Sequence, residues 1–176
     1  MTERVELASS TDVRRAAFEA LITSELDGAY RLAGVILGDQ WQAEDATHDA
    51  IVQAWLRFGS LRDPDRSRAW FGRILVNICR DRLRERGRRP IAVGAAVDRP
   101  TDDRTAAVDD RLLLDRAFAT LSPDHRVALV LRFYADLPVD AIADLTGVPA
   151  GTVKSRLHVA LERMRSALGS DEEDPR

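Results

Sequence analysis

Leu137-Pro-Val-Asp-Ala-Ile-Ala-Asp-Leu-Thr-Gly-Val-Pro-Ala-Gly-Thr-Val-Lys-Ser-Arg-Leu-His-Val-Ala-Leu-Glu-Arg-Met-Arg165 parses as two helices joined by a tight turn. The first is short, with Ala141, Ile142 and Leu145 apolar. Gly147 follows it, where a helix end often needs a left-handed residue. Pro149 blocks further helix, and Ala150-Gly151-Thr152 opens the second. Val153, Leu157, Ala160, Leu161, Met164 and Leu168 then fall on one face of a 3.6-period helix. At about 100° per residue the opposite face centres on Thr152, Ser155, His158, Val159 and Glu162, with Lys154 and Arg156 flanking it. A short helix, a glycine turn and a second helix with polar and basic residues near its start fit a helix-turn-helix. The bland alternative is a surface helical hairpin with solvated charges.

Working outward, the 176 residues suffice for one or two small domains with real cores. No apolar run approaches the roughly 18–20 residues of a membrane span. Met1 to Glu6 lacks a basic stretch followed by an apolar one, so no signal peptide is expected. Cys79 is the only cysteine, which excludes an internal disulfide and fits a cytoplasmic protein.

The net charge of −3 argues against a bulk nucleic-acid binder, but its distribution does not. From Ala16 to Leu61 there are seven acids against two arginines. From Arg62 to Arg89 there are ten arginines against four acids. An acidic surface and a basic one imply different partners.

The chain divides into a flexible N-terminal arm (1–12), a first helical domain (13–88), a linker (89–108), a second helical domain (109–169) and an acidic tail (170–176). The expected fold is all-α: two small helical domains on a flexible linker, the second containing the helix-turn-helix. In the first domain, Asp12 can cap a helix from Val13 with Phe18, Leu21 and Ile22 apolar. A second stretch spans Leu26 to Leu37 with Tyr30, Ala33 and Leu37. A third helix spans roughly Trp41 to Phe58. Ala43, Ala46, Thr47, Ala50, Ile51, Ala54, Trp55 and Phe58 repeat there at threes and fours, a buried stripe. Its opposite face carries Asp45, His48, Asp49 and Val52: a solvated acidic face, or a docking face for a basic partner.

An irregular loop from Gly59 to Ser67 leads to a helix over about Arg68–Arg86, with Phe71, Ile74, Leu75 and Ile78 inward and Trp70 beside them. Arg73, Asn77, Arg80 and Arg84 fall at i, i+4, i+7 and i+11 on another face. Arginines grip phosphate, while an amide both donates to and accepts from a base edge. Nearby aromatics can stack on an unpaired base. The plain alternative is a solvated basic helix that tolerates Asn77.

The linker holds Pro90, Gly94 and Pro100 and no sustained period; about twenty residues span up to roughly 65 Å when extended. Beyond it a helix over Arg111–Leu121 offers Leu112, Leu113 and Phe118 to a core. Ser122-Pro123 reads as a cap and a first-turn proline before Val127, Leu129, Val130, Leu131 and Phe133. No Gly-rich phosphate loop, metal-ligating cluster or nucleophile–base pattern is present, so no catalytic residue, cofactor, metal or small-molecule substrate is expected.

Three stretches, in this order, resemble the bacterial extracytoplasmic-function (ECF) sigma factors of the sigma-70 family. Ala43-Glu-Asp-Ala-Thr-His-Asp-Ala-Ile-Val-Gln-Ala-Trp55 is similar to region 2.2. Arg68-Ala-Trp-Phe-Gly-Arg-Ile-Leu-Val-Asn-Ile-Cys-Arg-Asp-Arg-Leu-Arg84 is similar to regions 2.3 and 2.4. Leu121 through Leu157 is similar to regions 4.1 and 4.2. The resemblance implies a promoter-specificity subunit without enzymatic activity. Asp45, His48, Asp49 and Val52 would dock on the β′ coiled coil of core RNA polymerase, with the β subunit as a further contact. Arg66, Arg68, Trp70, Arg73, Asn77, Arg80 and Arg84 would melt and read the −10 element. Thr152, Lys154, Ser155, Arg156, His158 and Val159 would read the −35 element, and the linker would thread toward the active-site channel. The resemblance further implies a monomer when free and inhibition by an anti-sigma factor supplied in trans, since no folded domain is expected after Leu168.

Two other readings compete. One is a stand-alone dimeric helix-turn-helix regulator of the LuxR type, which would normally carry an α/β receiver or ligand domain and a dimerising face. The other is a protein-binding adaptor, for which the arginine stripe is incidental. Within the family pattern, His48 stands where glutamine is usual and Val159 where many members have arginine. An exposed valine at a groove-facing position is expected either to touch a thymine methyl or simply to remove a guanine contact. In a selection of −35 sequences, Val159→Arg is therefore expected to gain a guanine preference at one position. An unchanged base preference would contradict this.

Overall fold

The computed structural model describes residues 2–61, 63–88 and 106–169. Those residues form helices and short connections, with no strand among them. The helices are α1 (Thr2–Leu37), α2 (Gln40–Arg57), α3 (Ser67–Arg88), α4 (Ala106–Ala119), α5 (Pro123–Phe133), α6 (Val139–Thr146) and α7 (Ala150–Gly169). Single 3-10 turns at Phe58–Ser60 and Pro64–Arg66 lie between α2 and α3. No helix among the described residues is long and apolar enough to cross a membrane.

The chain divides into two compact units, Met1–Cys79 and Arg80–Arg176. The cut falls inside α3. The last turns of α3 belong to the second unit through Arg80, which donates from Nη1 to the Thr146 carbonyl at 3.4 Å, and through Arg84, which pairs with Asp124 at 3.0 Å. Most of the linker expected over 89–108 lies outside the described residues; its last three, from Ala106, begin α4. The tail expected over 170–176 lies outside them as well.

In the first unit, α1 is continuous from Thr2. Residues 2–12, expected as an arm, are continuous with this helix, and the expected break between Ile22 and Leu26 is absent. Neither stretch contains proline, and a lone glycine such as Gly28 costs a helix only about 1 kcal/mol. Phe18, Leu21, Ala29, Ala33, Ile36 and Leu37 form its buried side from Phe18 onward. Gly38, at φ 68°, ends the helix, and the Asp39 carboxylate accepts from the Gln42 N–H at 3.1 Å to cap α2.

The alanine stripe of α2 is packed as expected: Ala43, Ala46, Ala50 and Ala54 are fully buried. Buried Thr47 satisfies its hydroxyl by donating to the Ala43 carbonyl at 2.8 Å. Trp55 and Phe58 form the rim of this contact, each with its ring centroid 5.1 Å from that of Phe18. In α3, Phe71, Ile74 and Leu75 are buried as expected, but Ile78 is half-exposed, and Val76 and Cys79 are fully buried instead.

In the second unit, Ser122 caps α5 by accepting from the His125 N–H at 3.3 Å, with Pro123 at the first helical position. Ala117, Leu121, Leu129, Ala160 and Met164 form one core cluster, with Phe118 and Leu161 packed against it. Leu112 and Phe133, expected inside, are exposed, Phe133 at 62%. An unbroken apolar run winds round a helix, so only part of it can face the core. Arg126 lies over the Phe118 ring at 4.9 Å; burial lowers its pKa to about 10, and the charge of Arg86 pushes the same way.

Between α5 and α6 the chain turns at Asp136, which takes the left-handed φ of 50° that aspartate tolerates better than most residues. The Leu137 N–H closes the turn on the Leu131 carbonyl at 3.0 Å. The helix-turn-helix is formed by α6 and α7. Gly147 ends α6 at φ 70°, and its N–H returns to the Ala143 carbonyl at 2.8 Å. Ile142 and Val153 are buried on either side of this turn. An L side chain at that φ is strained by roughly 1–2 kcal/mol. Gly147→Ala is expected to lower stability by about 1 kcal/mol in a urea melt, and Gly147→Asn by less.

Candidate docking and nucleic-acid interfaces

Close packing on α1 decides which side of α2 faces outward. An added Cβ on Gly34 of α1 would stand only 3.9 Å from the Ala43 Cβ. With the alanines turned inward, Asp45, His48, Asp49 and Val52 are all exposed on the other side. The four residues expected on a docking face therefore lie together on one exposed side of α2. Glu44 and Leu56, also exposed, lie next to them.

The basic residues of the Gly59–Ser67 loop and α3 are placed less uniformly. Arg66 is exposed, with its Nε 3.9 Å from Asp63. Arg68 is exposed and pairs with Glu25 of α1 at 2.9 Å. Trp70 is half-buried, its ring centroid 6.2 Å from that of Phe58. Arg73 is exposed, and Asn77 is half-exposed with no hydrogen bond to its amide among the described residues.

Arg80 and Arg84 are more engaged. Arg80 is only 18% exposed at the side chain, and its Nε is buried without a hydrogen-bond partner. One Arg84 nitrogen donates to both Asp124 oxygens, at 3.0 and 3.2 Å. The stripe is continuous as a spacing, but Arg80, at 18% side-chain exposure, is less accessible than Arg84 at 38%.

On α7, Lys154, Ser155 and His158 are exposed, and Thr152 and Val159 half-exposed, opposite buried Val153, Ala160 and Met164. Arg156 is turned aside, with Nη2 3.5 Å from an Asp124 oxygen. Near this cluster the His125 pKa is lowered, first by burial and then by the charges of Arg163 and Arg156, with Asp124 opposing.

Asp124 thus meets two of the arginines assigned to nucleic acid, and the sequence reading overlooked it. It lies in the first turn of α5, where an acid is explained by the helix dipole alone. Nothing local in sequence signals a pair with Arg84 forty residues earlier.

Two family models match, Sigma-70 region 2 over residues 21–89 and Sigma-70 region 4 over residues 111–164. The chain is 34% identical over 163 residues to the ECF RNA polymerase sigma factor SigM of Mycobacterium tuberculosis, covering 93% of this chain and 83% of that one. It is 31% identical over 159 residues to the RNA polymerase sigma-E factor of Streptomyces avermitilis, covering 90% and 89%. The chain belongs to the ECF sigma factors of the sigma-70 family.

As a sigma factor it acts in transcription initiation with core RNA polymerase and promoter DNA. Solved structures show the same fold. CnrH, determined with the cytosolic domain of CnrY, matches at TM-score 0.66 and 22% identity over 97% of this chain and 99% of that one. The sigma factor RpoE of Bartonella quintana, determined with the anti-sigma factor NepR, matches at TM-score 0.62 and 24% identity over 88% and 98%.

Proposed function

We propose that this sigma factor divides its work between residues 13–88 and residues 109–169. The outer face of α2, with Asp45, His48, Asp49 and Val52, docks on the β′ coiled coil, and the second domain contacts the β subunit. The loop before α3 and the helix itself, through Arg66, Arg68, Trp70, Arg73, Asn77, Arg80 and Arg84, open and hold the −10 element. Thr152, Lys154, Ser155, Arg156, His158 and Val159 of α7 read the −35 element in the major groove. The chain performs no chemistry of its own; bond formation belongs to the polymerase. It works in the cytoplasm, is monomeric when free, and is inhibited by an anti-sigma factor, as RpoE is paired with NepR.

The observation that carries this reading is the polarity of α7. Its packed side is apolar and closed, while Lys154, Ser155 and His158 stand exposed on the side that a major groove would receive. The charge pattern adds a second expectation. Acids on α2 repel phosphate, so free protein binds promoter DNA weakly, and docking on polymerase removes that obstacle.

In a run-off transcription assay, core RNA polymerase supplemented with this chain is expected to initiate from the promoter mapped upstream of its induced transcripts. Asn77→Ala is expected to reduce full-length product at least several-fold while leaving the chain bound to core. Absence of initiation with the parent chain would favour the stand-alone regulator. Tight, specific promoter binding by the isolated chain at physiological salt would contradict the polymerase dependence.

A further inference from the structure

Four large apolar side chains of α2 are exposed: Trp41 at 81%, Leu56 at 74%, Val52 at 45% and Trp55 at 39%. Trp55 leans on Phe18, which leaves three standing in solvent along the outer side. With about 100° of turn per residue and Trp41 as the origin, His48, Val52, Asp45 and Leu56 fall at about −20°, +20°, +40° and +60°. The buried alanines lie on the opposite side, at about 140–220°. Trp41 and Leu56 thus continue the face that carries Asp45, His48 and Asp49, one at each end.

Single exposed hydrophobic residues are ordinary, but three on one stripe are a pattern. The tryptophans also differ among themselves. The rings of Trp55 and Trp70 rest on Phe18 and Phe58, whereas Trp41 meets no other ring among the described residues. Trp41 is also held rigidly. It is the second residue of α2, directly behind the Asp39 cap, so little backbone freedom is lost when it is covered.

We infer that the docking face of α2 runs the whole helix, about 22 Å from Trp41 to Leu56, with these two residues as its apolar anchors. The acids between them select a basic partner, and the length selects an elongated one: a basic helical element of core RNA polymerase carrying apolar side chains about four turns apart. A second copy of this chain does not fit, because the face would set its acids against their own copies. Nucleic acid does not fit for the same reason. The inference rests on reading α2 as the polymerase-docking face.

The test is the affinity of the full-length chain for core RNA polymerase, measured by titration of a labelled sigma factor. Buried tryptophans are frequent centres of binding energy. Trp41→Ala is expected to weaken binding about tenfold or more, Leu56→Ala several-fold, and Trp41→Phe to stay within about threefold of the parent. Val13→Ala, at 66% exposure but on α1, is expected to change nothing. Thermal unfolding of each variant should match the parent, since the replaced side chains face solvent.

A Trp41→Ala/Leu56→Ala double variant that binds core within twofold of the parent would overturn the inference. If Asp49→Arg abolishes binding in the same series, the docking reading of α2 stands and only the anchors fall. If Asp49→Arg also binds normally, both fall. A parent dimer in sedimentation that Trp41→Ala dissolves would assign the face to self-association and overturn the inference as well.

Discussion

Four alanines on one side of α2 set the surface of the first unit. Ala43, Ala46, Ala50 and Ala54 leave no side-chain bulk between α2 and α1, and all four are fully buried. The short side chains let the two backbones approach closely, and Thr47 hides its hydroxyl within the helix's own hydrogen bonding. A helix gripped so tightly on one side can present only its opposite side to a partner. The acids, His48 and the exposed apolar residues of α2 are therefore outward because the alanines are inward. Phe18, Trp55 and Phe58 close the end of this contact and lead into the turn before α3. Trp70 rests on Phe58 there, at the entry to the basic helix.

The second unit obeys a similar constraint with a different device. The left-handed Gly147 redirects the chain within a few residues, so that Ile142 and Val153 can both be buried. Once Val153, Ala160 and Met164 are inside, helical geometry sends Ser155 and His158 outward without any further instruction. Charge then distinguishes the surfaces. Several of the basic side chains are already paired: Arg68 with Glu25, and Arg84 and Arg156 with Asp124. Such partly exposed pairs contribute little to stability, on the order of 1 kcal/mol or less each.

Much of this was legible in the sequence, because helices are written in a period that one can count. The alanine stripe, the Ser122-Pro123 cap, the Gly147 turn and the packed side of α7 all follow from local spacing. The failures are of two physical kinds. Where an apolar run has no period, as at Leu112-Leu-Leu114, the sequence does not say which residue faces inward; the core took Ala117 and Leu121 instead. Where a boundary rests on weak signals, as at Asp12 or near Leu26, a long helix simply continues. The candidate interfaces divide in the same way. The outward set on α2 could be read from its period, but the turning aside of Arg156 and Arg84 could not. Both depend on Asp124, whose partners come from distant parts of the chain. Trp41 escaped notice because it sits beside a capping residue and was read as a helix start, though its exposure is the largest among the large apolar side chains of the described residues.

The central claim is that one chain carries two oppositely charged faces with separate partners. It is tested most directly by binding two charge-reversed variants to core RNA polymerase and then to promoter DNA. Asp45→Arg should lose core polymerase. Arg73→Glu should keep core polymerase at parental affinity but fail to open the promoter, leaving its thymines unreactive to permanganate. If Asp45→Arg bound core normally, or if Arg73→Glu lost core as well, the faces would not be separate and the account would be contradicted.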